Sequence, residues 1–162
     1  MSRASWWGHA LVLAVLAGAA RVAMADVTVV DPWVRGTVEG QTSTVGYMTL
    51  KSDTAVRLVS VSSPAAARCS VHETTISGNL MKMRTLEALP IPAGGAVTLE
   101  QGHDHLMLEG LVHPLKEGDT VRLTLTLVDS SGRRQTVDVG APVVPLGATH
   151  GGLPHHPTPM TR

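Results

Sequence analysis

Phenylalanine is absent, cysteine occurs once, and the aromatic residues are Trp6, Trp7, Trp33 and Tyr47 alone. Four rings, two of them within the first seven residues, make no stacking platform for single-stranded nucleic acid. A lone Cys69 permits neither an internal disulfide nor a Cys-rich zinc site. Neither sign of charge is in excess: 13 Lys+Arg balance 13 Asp+Glu in 162 residues, so no overall field draws nucleic acid or an anionic membrane surface. No Ser-His-Asp pattern, paired-carboxylate signature, Gly-rich phosphate loop or cofactor motif appears, and an enzyme is not expected. What the chain does have is eight His alongside seven Met, in a length that suits one domain with a real core.

The longest apolar run is short. Ala10 to Ala20 follows the positive Arg3 and precedes Ala23-Met24-Ala25, a small-x-small cleavage site ahead of Asp26. Spanning a bilayer takes about 20 apolar residues, so residues 1–25 read as a cleaved secretory signal. No Cys follows the run to carry a lipid, and no membrane anchor is expected. The compartment is then a bacterial periplasm, which is oxidising. There a lone Cys69 is best kept buried and inert.

Beyond the signal, residues 26–141 read as one β-domain. Val27 to Val30, Thr44 to Lys51, Arg57 to Ser62 and Arg68 to Thr74 are rich in β-branched and apolar residues. In Val121 to Leu127, apolar Val121, Leu123, Leu125 and Leu127 alternate with Arg122, Thr124 and Thr126. Arg134 to Val139 would return from that strand as a hairpin through Ser130-Ser131-Gly132. Turns are also marked at Pro92-Ala93-Gly94-Gly95 and Glu117-Gly118-Asp119. No helical apolar stripe persists over three turns, so the fold class is all-β, a sandwich or barrel. Residues 142–162 carry five Pro, three Gly and three His without apolar periodicity, and are expected to be a disordered tail.

Chemistry concentrates in three places: His72, Met81-Lys82-Met83 and His103-Asp104-His105-Leu106-Met107. Residues two apart in a strand share a face. Period two therefore sets His103, His105 and Met107 together, pairs Met81 with Met83, and puts Ser70, His72 and Thr74 opposite Cys69 and Val71. Strands of this kind can bring His72, Met83, His105 and Met107 to one point. Two imidazoles and two thioethers form a soft, neutral donor set that favours Cu(I) over zinc, calcium or magnesium. With no thiolate and no carboxylate base, such a site suits holding and handing over copper. Singly, each Met or His would be core filler or a surface group. Met48 and His113 are read that way.

The runs Val71-His72-Glu73-Thr74-Thr75, Met83-Arg84, Ile91-Pro92-Ala93-Gly94-Gly95, His105-Leu106-Met107-Leu108 and Pro114-Leu115-Lys116-Glu117-Gly118-Asp119-Thr120 closely resemble the periplasmic PCuAC copper chaperones. Trp33-Val34-Arg35 and Gly46-Tyr47-Met48 extend the likeness over nearly all of residues 26–139. The family's metal motif is a His, ten residues, a Met, twenty-one residues, then His-x-Met, and it falls on His72, Met83, His105 and Met107 without gap or excess. The resemblance implies a cupredoxin-like Greek-key β-fold that binds Cu(I). It also implies delivery to the copper-A centre of cytochrome c oxidase, alone or with a Sco-type thiol protein, with the chaperone acting as a monomer. Two positions depart from the pattern. Glu109 stands where a second Met is frequent, and His103, where Gly is common, offers an auxiliary ligand.

Some relatives in that family capture Cu(II) on His- and Met-containing C-terminal extensions, and here His150, His155, His156 and Met160 supply the same donors. Three other readings compete with a chaperone. A storage or resistance protein would use the same Cu(I) site. A blue-copper electron carrier would need a Cys thiolate beside its His ligands, whereas Cys69 faces away from His72. In a plain β-domain for protein interaction, the His and Met would be incidental.

Overall fold

The computed structural model describes residues 25–147. Its ten strands are β1 (Val27–Arg35), β2 (Ser43–Ser52), β3 (Val56–Ser62), β4 (Ala66–Ser77), β5 (Leu80–Leu86), β6 (Leu89–Ile91), β7 (Gly95–Leu99), β8 (His105–Leu111), β9 (Thr120–Asp129) and β10 (Arg134–Val144). No helix interrupts them among the described residues.

Hydrogen bonding runs continuously through β5-β4-β8-β2-β1-β10-β9-β3-β6, with β7 paired to β2. The sheet folds over itself, so that Val71, Leu106 and Leu108 from one half share a core with Leu58, Leu123, Leu125 and Leu127 from the other. β9 shows why: its alternating Leu side chains are wholly buried, each contributing about 1.5–3 kcal/mol. The turn glycines Gly94, Gly118 and Gly132 all take left-handed φ, as their turns require. The all-β, cupredoxin-like expectation holds. The sheet does not close into a barrel, because β5 and β6 remain its edges.

Three differences from the sequence reading stand out. The tail was expected from Pro142, yet Pro142, Val143 and Val144 complete β10. Val143 and Val144 pair in parallel with Val34 and Arg35 of β1. A parallel partner more than a hundred residues away leaves no local pattern. Short strands β6 and β7 carry no local signal either, since each is defined by its neighbour: β6 by β3, β7 by β2. Finally, β8 starts at His105, not before. Gly102, at φ 85°, turns the chain through residues 101–104, which lifts His103 out of the strand alternation. The signal segment before Ala25 and the tail donors His150, His155, His156 and Met160 lie outside the described residues.

Candidate metal centre

β4 is the strand on which the site is built, with β5 on one side and β8 on the other. Its inward residue Val71 enters the core, and Cys69 packs against that core from the same face. Ser70, His72 and Thr74 consequently point outward. The antiparallel register then fixes their neighbours: His72 opposes His105, Ser70 opposes Met107, and Thr74 opposes Met83. Directly opposed residues in such a ladder have Cβ atoms about 5 Å apart, and diagonal ones about 7–8 Å. His72 is thus the common neighbour of the set, opposite His105 and diagonal to both Met83 and Met107. The structure brings all four motif residues onto one face of three adjacent strands.

The two imidazole rings meet edge to face, with centroids 5.6 Å apart and planes at 69°. Each ring is held by a local hydrogen bond. His105 Nδ1 lies 3.0 Å from the carbonyl oxygen of His103. A carbonyl only accepts, so Nδ1 carries the proton and Nε2 keeps its lone pair for a metal. On β4, Ser70 Oγ is 3.1 Å from His72 Nε2. Sequence alone placed Ser70 on this face without showing that contact, and a Ser two positions before a strand His is the signal that could have found it. Thr74 Oγ1 is buried with no hydrogen-bond partner, beside the opposed Met83. Its backbone N–H donates to Asp104 Oδ1 at 3.4 Å, tying the turn before β8 to the β4–β5 hairpin.

Exposure falls steeply across the site. His105 is buried at 8%, Met107 is half-buried, and Met83 on the edge strand is 57% exposed. Burial pushes the His72 imidazole below its usual pKa, and the neighbouring His105 and Arg68 push the same way, while Glu109 opposes them. Glu109 does not stand free as a ligand. Its carboxylate is paired with Arg68, with Nη2 at 2.8 Å, one row beyond Ser70 and Met107. Val45, opposite Met107 on β2, packs against a small outer cluster of Trp33, Tyr47 and Val144 that stiffens this side of the sheet.

Of the auxiliary candidates, His103 contributes its carbonyl, but its exposed imidazole stands 3.9 Å from Glu100 rather than beside His105 and Met107. Cys69 points into the core, half-buried, and its thiol is pushed up to about 11 by desolvation, an inert state. Met48 is buried in the core, as expected of it, and His113 is exposed with Nδ1 against the Pro114 carbonyl. Among the described residues no three His, Cys, Asp or Glu side chains cluster, so the two imidazoles have only the thioethers of Met83 and Met107 as further side-chain donors of the motif.

Comparison with known proteins places this fold. Putative lipoproteins of the LpqE-like family match residues 27–143. The chain belongs to that family. The putative lipoprotein Lxx21020 of Leifsonia xyli subsp. xyli is 31% identical over 118 residues, covering 72% of this chain and 69% of its own. The LpqE-like fold here is that of a PCuAC domain. The apo PCuAC domain of PmoF2 superposes with a TM-score of 0.59 at 26% identity, covering 76% of this chain and 94% of that domain. The Cu(I) form of DR1885 from Deinococcus radiodurans is 39% identical, with a TM-score of 0.54, over 69% of this chain and 74% of that one.

Proposed function

We propose that this LpqE-like protein is an exported copper chaperone of the periplasm. It carries Cu(I) on His72, Met83, His105 and Met107 and delivers it to the copper-A centre of cytochrome c oxidase, alone or with a Sco-type thiol protein. The observation that carries this reading is the register: His72 opposite His105, with a thioether on each diagonal. The donor set fits the cargo. Two neutral imidazoles and two thioethers suit a soft monovalent ion, and the paired Glu109 adds no free charge that would favour a harder one. DR1885, 39% identical, is described in a Cu(I) form.

His105 and Met107, anchored on the inner strand, would hold the ion, and His72 would complete its coordination from β4. Neutral ligands and an open β5 side favour release by exchange with the recipient's own donors. A binding role, with no catalytic step, accounts for every residue at the site.

The test is Cu(I) stoichiometry and affinity measured by competition with a chromophoric chelator, beside a Met83→Ala/Met107→Ala double variant. One tightly bound Cu(I) per chain, lost in the double variant, is expected. Binding indifferent to both substitutions would remove the assignment. Transfer to an apo copper-A domain then separates delivery from storage or resistance, since a sequestering protein would keep its ion.

A further inference from the structure

One thioether near the site has no part in the motif. Met81 lies two residues before Met83 on β5, so both project from the same outer face; Met81 is opposed by Ile76, and Met83 by Thr74. Among the described residues β5 is an edge strand, with β4 as its only neighbour in the sheet. Met81 is 51% exposed, whereas the core filler Met48 is 1% exposed. A large apolar side chain left this open on an edge strand does little packing work, and the opposed Ile76 is more open still.

We propose that Met81 is the handover ligand: the sulfur that takes Cu(I) from the four-residue site and presents it to the recipient. This rests on the Cu(I) reading above and adds a route to it. His105 is buried and held by the His103 carbonyl, so an ion cannot leave past β8. The exposed side is β5. Same-face residues two apart on a strand are separated by about 6.6 Å along the chain, and a Met side chain has three rotatable bonds, so both sulfurs can reach one ion. Exchange then proceeds one bond at a time. A Cu–S bond to Met81 forms as the bonds to His105 and Met107 break, and the bond to His72 breaks last, Met83 remaining attached throughout. The ion keeps its single positive charge and no electron moves. The next exchange replaces Met83 and Met81 by the soft donors of the recipient.

The experiment uses the full protein loaded with one Cu(I) and mixed rapidly with a chromophoric Cu(I) chelator. Met81→Leu keeps the apolar bulk and removes the sulfur. Expected is unchanged one-to-one loading with a transfer rate lowered at least about fivefold. Ile76→Ala, which alters the same exposed patch without touching a donor, should leave the rate as it was. In loaded protein labelled with 13C at the Met methyls, the Met81 signal should broaden once exchange with the chelator begins and that of Met48 should not. An unchanged rate in Met81→Leu overturns the proposal, as does an equal slowing in Ile76→Ala, which would make the patch a docking surface. Loss of binding in Met81→Leu overturns it too, by making Met81 a resident ligand. In each of these cases the Cu(I) site itself still stands. Failure of the unaltered protein to bind Cu(I), or binding indifferent to the Met83→Ala/Met107→Ala change, removes both readings together.

Discussion

At His72 a proton and a metal compete for the same imidazole. Burial disfavours the charged ring first, His105 and Arg68 add repulsion, and Glu109 alone favours protonation. The folded pKa therefore lies below 6.5, the ordinary value. A base depressed in this way contributes stability that is complete above the unfolded pKa and is lost as pH falls through the folded one. The ring also stays open to metal at a lower pH than a free imidazole would. Following the His72 Cε1–H resonance of the apo protein against pH should give a midpoint below 6.5, with Cu(I) affinity declining once the pH passes beneath it. Glu109→Gln, which removes the one opposing charge, should move the midpoint lower still. A midpoint at or above 6.5 would contradict the burial argument. These four ligand candidates were legible as residue types at a set spacing. The Ser70 contact, the His103 carbonyl and the Arg68–Glu109 pair were not, because each depends on which side chains the ladder places within hydrogen-bond reach.

Strands are the units that turn spacing into geometry. β9 was legible because one face is buried from Val121 to Leu127, and alternation over those residues is uninterrupted. β5 has no buried face to write a pattern, and nearly every residue in it is exposed. Only its two Met marked it. β8 was legible from Leu106 and Leu108, yet period two could not announce where the strand begins. At its far end Gly110 adopts φ 66°, and an added Cβ would come within 2.8 Å of the Ala67 Cβ on β4. The β4–β8 ladder that aligns His72 with His105 is secured on that side by the Arg68–Glu109 row and by Ala66 opposite Leu111. Gly110→Ala is expected to cost about 1–3 kcal/mol through left-handed strain and the clash. Thermal unfolding should report that loss. Cu(I) stoichiometry should survive, because the His72–His105 and Ser70–Met107 rows lie nearer the other end of β8. A variant as stable as the unaltered protein would show that the backbone there relaxes freely.

For the molecule as a whole, the two candidate donor sets differ in how they depend on folding. His72, Met83, His105 and Met107 come from three strands and meet only when β4, β5 and β8 are in register. A ligand that binds the folded chain alone stabilises it by mass action, about 2.7 kcal/mol at a hundredfold excess over Kd. In a domain of this size that is roughly 10 °C in Tm. His150, His155, His156 and Met160 instead lie within one short stretch of sequence, so the unfolded chain offers the same donors as the folded one. Their imidazole content suits Cu(II). Metal bound equally to both states leaves the unfolding equilibrium where it was. Calorimetry should therefore show Tm rising with Cu(I) and hardly moving with Cu(II). Deleting Gly151 to Arg162 should abolish Cu(II) binding while keeping both the single Cu(I) and its Tm increment. Unchanged Cu(II) stoichiometry after the deletion would rule out the tail as the Cu(II) ligand. A Tm that rose with Cu(II) in the intact chain and not in the shortened one would instead mean that the tail ligates together with the folded domain, the two donor sets then forming one site.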